Sequence, residues 1–86
     1  MDSINVQVGS REFKVSEMNA LDFDSTSKIT DADERLKRRV MMCASLSESE
    51  YKLLTVRERN AIMLAFNELN GLTEDFQKTW KIVKHE

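Results

Sequence analysis

Proline is absent from these 86 residues, and glycine occurs only at positions 9 and 71. With so few breakers there is little room for long flexible linkers or a domain boundary, and a single domain over 1–86 is expected. Histidine occurs once, at His85, so no His-based triad, acid–base pair or two-histidine metal site can be assembled within the chain. Cysteine also occurs once, at Cys43. No internal disulfide is possible, and a reducing cytoplasm is the natural setting. No stretch approaches the roughly 18 apolar residues that mark a membrane span, and MDSINVQVG lacks the basic-then-apolar order of an export signal. A glycine-rich phosphate loop and a dense acidic calcium loop are missing as well. The chain reads as a non-enzyme with no catalytic, cofactor-binding or metal-ligating residue and no cofactor.

What is present is charge, balanced in sign. Thirteen Lys and Arg stand against fifteen Asp and Glu, a formal net charge of −2, which gives no overall attraction to nucleic acid or to an anionic membrane. Protein partners are the remaining class. Apolar residues at 41% and charged residues at 33% exceed what a disordered chain carries and match a charged, mostly helical soluble domain. A domain of this length buries only about 60 to 65% of its unfolded surface, so a wide catalytic cleft would be hard to accommodate.

The N-terminal part has a period of two. Ile4, Val6 and Val8 alternate with Asn5 and Gln7, and after Gly9-Ser10 the alternation resumes with Phe13 and Val15 against Glu12 and Lys14. This predicts a β-hairpin over about 4–15. With a two-residue turn, Val6 faces Phe13 and Ile4 faces Val15 on one side, while Gln7 faces Glu12 and Asn5 faces Lys14 on the other. Such a hairpin is marginal alone, so its apolar face should dock on helices.

The rest has the period of a helix. A short helix is predicted over about 17–23, carrying Met18, Leu21 and Phe23, followed by a loop at Asp24-Ser25-Thr26-Ser27. Thr30 with Asp33 resembles a cap for a helix over about 31–46, with Leu36, Val40, Cys43 and Ala44 as its buried stripe and Met41 and Met42 widening it. The basic run in that helix invites a nucleic-acid reading. Asp31, Asp33 and Glu34 stand four residues before Arg35, Lys37 and Arg38, however, which favours a self-paired solvated face and leaves only Arg39 without an acid. Ser47 with Glu50 predicts a short helix over 48–54 that brings Tyr51, Leu53 and Leu54 to the next element.

The stretch LLTVRERNAIMLAFNELNGLT has a readable start, face and stop. Thr55 and Glu58 form a capping-box spacing, and Ile62, Ala65, Phe66 and Leu69 fall on one stripe. Gly71, with Leu72 folding back, ends the helix in a Schellman motif, giving a helix over 56–70. A last amphipathic helix is predicted over 74–84, with Phe76, Trp80 and Val83 at i, i+4 and i+7. The two helices around Gly71 could be read as a helix-turn-helix, but TEDFQKTWKIV begins acidic where a recognition helix would meet phosphate. Expected overall is a mainly α, α+β fold, with an N-terminal hairpin on a small bundle of about four helices.

Four residues are candidates for a partner interface. Leu64 points away from the stripe of Ile62, Phe66 and Leu69, so it is either a second buried contact or an exposed anchor for self-association or partner docking, and Met63 adjoins it. Phe76 and Trp80 offer either core packing or an interface, where tryptophan is enriched. Cys43 is either a small buried hydrophobe or a reactive thiol.

The order of features carries a resemblance. A strand pair ending in REFKVSEMNALD leads to a charged helix, DADERLKRRVMMCASL, and then to LSESEYKLLTVRERNAIMLAFNELNGLTED. This resembles the tail assembly chaperones of long-tailed bacteriophages and prophages, in which a short β segment with an RELTALD-like stretch leads through a helix ending in SL to an NxLNGL ending. The resemblance implies a non-catalytic helper that binds the tape measure protein, keeps it soluble, recruits tail tube subunits and is not kept in the finished virion. It further implies action in the bacterial host cytoplasm and the short, non-frameshifted form, since the chain stops soon after NGL. The alternative from another class is a small phage or bacterial regulator that docks on a host protein and inhibits it.

Overall fold

The computed structural model describes residues 2–72. The helix expected over 74–84, with Phe76 and Trp80, lies outside them. Among the described residues the architecture is α+β, an antiparallel hairpin followed by four helices. The strands β1 (Ser3–Val8) and β2 (Arg11–Ser16) pair in the register that the alternation predicts, Val6 against Phe13 and Ile4 against Val15. Gly9 has φ 61° while Ser10 keeps a negative φ, the pattern of a type II′ turn, whose twist suits the strands it joins. Phe13 and Val15 are buried and Ile4 and Val6 pack beside them. That face would be wet in an isolated hairpin.

The four helices are α1 (Ala20–Ser27), α2 (Ala32–Ala44), α3 (Glu48–Lys52) and α4 (Val56–Leu69), each started by a side-chain cap. Both predicted capping boxes form. Ser47 and Thr55 accept from the backbone N–H groups of Glu50 and Glu58, and those carboxylates accept in return from the cap N–H groups. Two starts differ from expectation. The cap of α2 is Asp31 rather than Thr30, its Oδ1 accepting from the N–H groups of Asp33 and Glu34. For α1 the cap is Asn19, and the helix runs on through the stretch predicted as loop. There the hydroxyls of Thr26 and Ser27 donate to the Phe23 carbonyl, so they are satisfied inside the helix instead of breaking it.

Two helix ends use the left-handed region. At α4, Gly71 has φ 69°, its N–H donates to Glu68 O, and the Leu72 N–H donates to Asn67 O at 2.7 Å, which is the Schellman pattern. At α2 the same 6→1 bond, Leu46 N–H to Met41 O, is made around Ser45 at φ 54°, where a side chain is carried at a steric cost. The helix therefore stops two residues before the predicted 46.

The core lies where α4 crosses both strands and α2 leans on β2. Phe13, Val15, Val40, Cys43, Ala44, Ile62, Ala65 and Phe66 are buried there, with Leu36, Leu69, Tyr51 and Leu54 packed around them. Two apolar residues assigned inward, Met42 and Leu53, are exposed, and so is Leu21 of α1. Met42 stands two positions from Val40, about 200° round the helix, so it cannot share Val40's face. Leu53 closes α3 with Leu54 taking the inward place.

Candidate interaction surface

The polar groups fall into two sets, those the fold consumes and those left outside. The basic run of α2 belongs to the first. Arg35 Nη1 donates to the Ile29 carbonyl at 2.8 Å, and Lys37 pairs with Glu48 at the start of α3. That hydrogen bond holds the Lys37 ammonium above its ordinary pKa and the Glu48 carboxyl below its own. Of the three predicted helical pairs, only Glu34 with Arg38 comes within reach, at 4.0 Å. Asp31 is engaged as a cap, which removes it as a partner for Arg35.

Arg39, the cation left without an acid, clamps α1 to α2. Its Nε donates to Thr26 Oγ1 at 2.9 Å and its Nη2 to Ser27 Oγ at 2.8 Å, while the guanidinium lies 4.3 Å from the centre of the Phe23 ring. Burial lowers its pKa, with neighbouring Arg35 acting in the same sense. These contacts join residues 12 and 13 apart through neutral hydroxyls, so no charge pattern in the sequence points to them.

Glu58 is the second consumed group. It is 5% exposed, and its Oε1 accepts both the Thr55 N–H and Arg11 Nη1, tying the end of the hairpin turn to the start of α4. Arg11 also lies over the Phe13 ring at 5.0 Å. The capping spacing forecast the first contact but not the second.

The outer face of α4 carries exposed apolar side chains as well. Leu64 is 68% exposed and Val56 63% exposed, two turns apart on the face of α4 opposite the core. Met63 is half-buried against the core beside them. Asn60 lies between Val56 and Leu64, and Arg57 and Glu68 flank the stripe, all exposed. At the N-terminal end a cavity of about 210 Å³ is lined by Tyr51, Lys52, Leu54, Thr55, Val56 and Arg59. Among the described residues Arg59 Nε is buried there without a hydrogen-bond partner. Of the four predicted interface residues, Leu64 is presented outward and Met63 is divided between core and rim. Phe76 and Trp80 lie outside the described residues.

Cys43 is buried at 3% exposure, and burial pushes its thiol up to about 12. A thiol protonated at neutral pH is a poor nucleophile, so the hydrophobe reading of Cys43 holds. Among the described residues no group of three or more His, Cys, Asp or Glu side chains is placed to hold a metal ion, and no helix is long and apolar enough to cross a membrane. Comparison with protein-family models, with curated proteins and with solved structures gave no match.

Proposed function

We propose that this chain is a tail assembly chaperone of a long-tailed phage or prophage, acting without catalysis by binding the tape measure protein and helping tail tube subunits assemble on it. The observation that carries the binding reading is the pair of exposed apolar side chains on the outward face of α4, Val56 and Leu64, with half-buried Met63 beside them. The sequence resemblance supplies the identity of the partner. A long helical protein that aggregates through its own apolar surface would be shielded by a small domain presenting such a stripe, in the manner of helix-in-groove and helix-on-helix docking. Arg59 Nε, which has no hydrogen-bond partner among the described residues, would suit an acceptor brought by the partner. On this reading the chain works in the host cytoplasm and is absent from the finished virion.

Co-expression of the tape measure protein with and without this chain is the test. The tape measure protein should be soluble and co-purify only when the chain is present, and the complex should persist in salt because buried apolar area dominates it. Leu64→Lys should stay folded, since Leu64 is exposed, and should lose co-purification. Equal insolubility in both co-expressions would remove the chaperone reading in favour of the docking regulator. A Leu64→Lys chain that still captures the tape measure protein would move the interface off α4.

A further inference from the structure

We propose that the outer edge of β1 is a self-association surface, on which a second copy of this chain adds its own β1 antiparallel, so that the two two-stranded hairpins join in one four-stranded sheet. Backbone parity fixes which groups point outward from β1. Across a two-residue turn the flanking pair, Val8 and Arg11, exchanges hydrogen bonds, and inward bonding recurs at every second residue. The Glu17 N–H donates to Asp2 O at 3.0 Å, in step with that count. Ser3, Asn5 and Gln7 therefore aim their N–H and C=O groups away from β2, and among the described residues none of these groups has a partner. All three residues are exposed.

The two edges of the hairpin are guarded differently. β2 carries Arg11, Glu12 and Lys14, charges of the kind that keep a strand from pairing, and α2 leans on it. Just past its end the Met18 N–H is taken by Asn70 Oδ1. β1, SINVQV, has no charge and no proline over six residues. A second copy is the occupant because this edge is complementary to itself. A two-fold axis at Asn5 sets Asn5 opposite its own counterpart, Ser3 opposite Gln7 and Ile4 opposite Val6, so each outward N–H meets a C=O. Neutral polar side chains then meet on one face and half-buried aliphatic ones on the other. The two Lys14 positions, level with the axis, stand three strand spacings apart, about 14 Å, beyond a screening length of about 8 Å.

Sedimentation velocity of the full chain reads the state directly. The parent should be a dimer at about 100 μM, where a micromolar Kd is saturated. Asn5→Lys and Asn5→Asp each set like charges opposite each other at the axis, from an exposed position that leaves the hairpin's own ladder intact. Each should weaken the dimer about tenfold or more while still unfolding cooperatively in urea. Mixed in equal amounts, the two variants should recover a dimer, which damaged folding would not allow. Asn5→Pro removes only an outward N–H, a place where an edge strand accepts proline, and should be monomeric. Leu64→Lys should stay dimeric. A parent that is monomeric at the same concentration would overturn the proposal, as would a dimer that survives both charged substitutions or is not recovered on mixing. A dimer lost in Leu64→Lys would overturn it by moving self-association to α4.

Discussion

Removing the Glu58 carboxylate isolates the contact that fixes the hairpin to α4. The side chain is 6% exposed and accepts the Thr55 N–H at 2.8 Å and Arg11 Nη1 at 3.2 Å, while Arg11 is 48% exposed. In Glu58→Ala, losing half of the capping box costs on the order of 1 kcal/mol, and the lost buried methylene costs about 0.8 kcal/mol. The ion pair adds only about 0.2–1 kcal/mol, because a half-exposed Arg11 recovers its hydration. The expected total is about 2–3 kcal/mol. Glu58→Gln keeps a neutral acceptor for Thr55 and should cost about half as much. The converse substitution, Arg11→Met, leaves a buried carboxylate short of one donor and should cost about 1–3 kcal/mol although Arg11 lies at the surface. Urea unfolding followed by circular dichroism, run as a double-mutant cycle on Glu58 and Arg11, gives the coupling directly. The double substitution should cost less than the sum of the two single ones, and that difference should shrink with added salt. Additive single substitutions would refute the tie between hairpin and helix, and a Glu58→Ala loss below about 0.5 kcal/mol would refute the burial argument with it.

Phe66 is 1% exposed at the centre of the core, so Phe66→Ala should cost about 3–5 kcal/mol by the same unfolding measurement. A loss below about 1 kcal/mol would be incompatible with that burial. Ser45→Gly should stabilise by about 0.5–1 kcal/mol, the relief of a left-handed side chain less the extra freedom of glycine in the unfolded chain. An unchanged midpoint would mean that Ser45 carries no strain. The Cys43 thiol is raised on folding from an ordinary 9.0 to about 12, so its neutral form contributes stability that is whole below about pH 9 and lost as pH climbs toward 12. Thermal midpoints against pH should fall more steeply over that window for the parent than for Cys43→Ala, and parallel curves would exclude the linkage.

Local hydrogen bonding and periodicity were readable in the amino-acid order. The hairpin register follows from an alternation of two around Gly9-Ser10, because slipping by one residue would turn Phe13 and Val15 to water. The two capping boxes and the Gly71 ending each close within six residues, so nothing distant needs to be known to place them. Where a competing local group is present, the element boundary moves by a residue or more: Asp31 displaces Thr30 as cap, and Thr26 and Ser27 find a carbonyl inside α1 instead of ending it. The outward direction of Leu64 was legible from the helical wheel, but whether anything covered it was not.

Tertiary structure decided the partners of the long side chains. Lys37 chose Glu48 over Asp33, Arg39 chose two hydroxyls and a ring, and Arg11 reached Glu58 across 47 positions. A flexible cation takes whichever acceptor the neighbouring element brings within about 3 Å, and sequence spacing ranks only the acceptors on its own helix. The exposure of Leu64 and Val56 was settled in the same way. Among the described residues both strands and α2 pack on one side of α4, and Leu64 and Val56 stand exposed on the other.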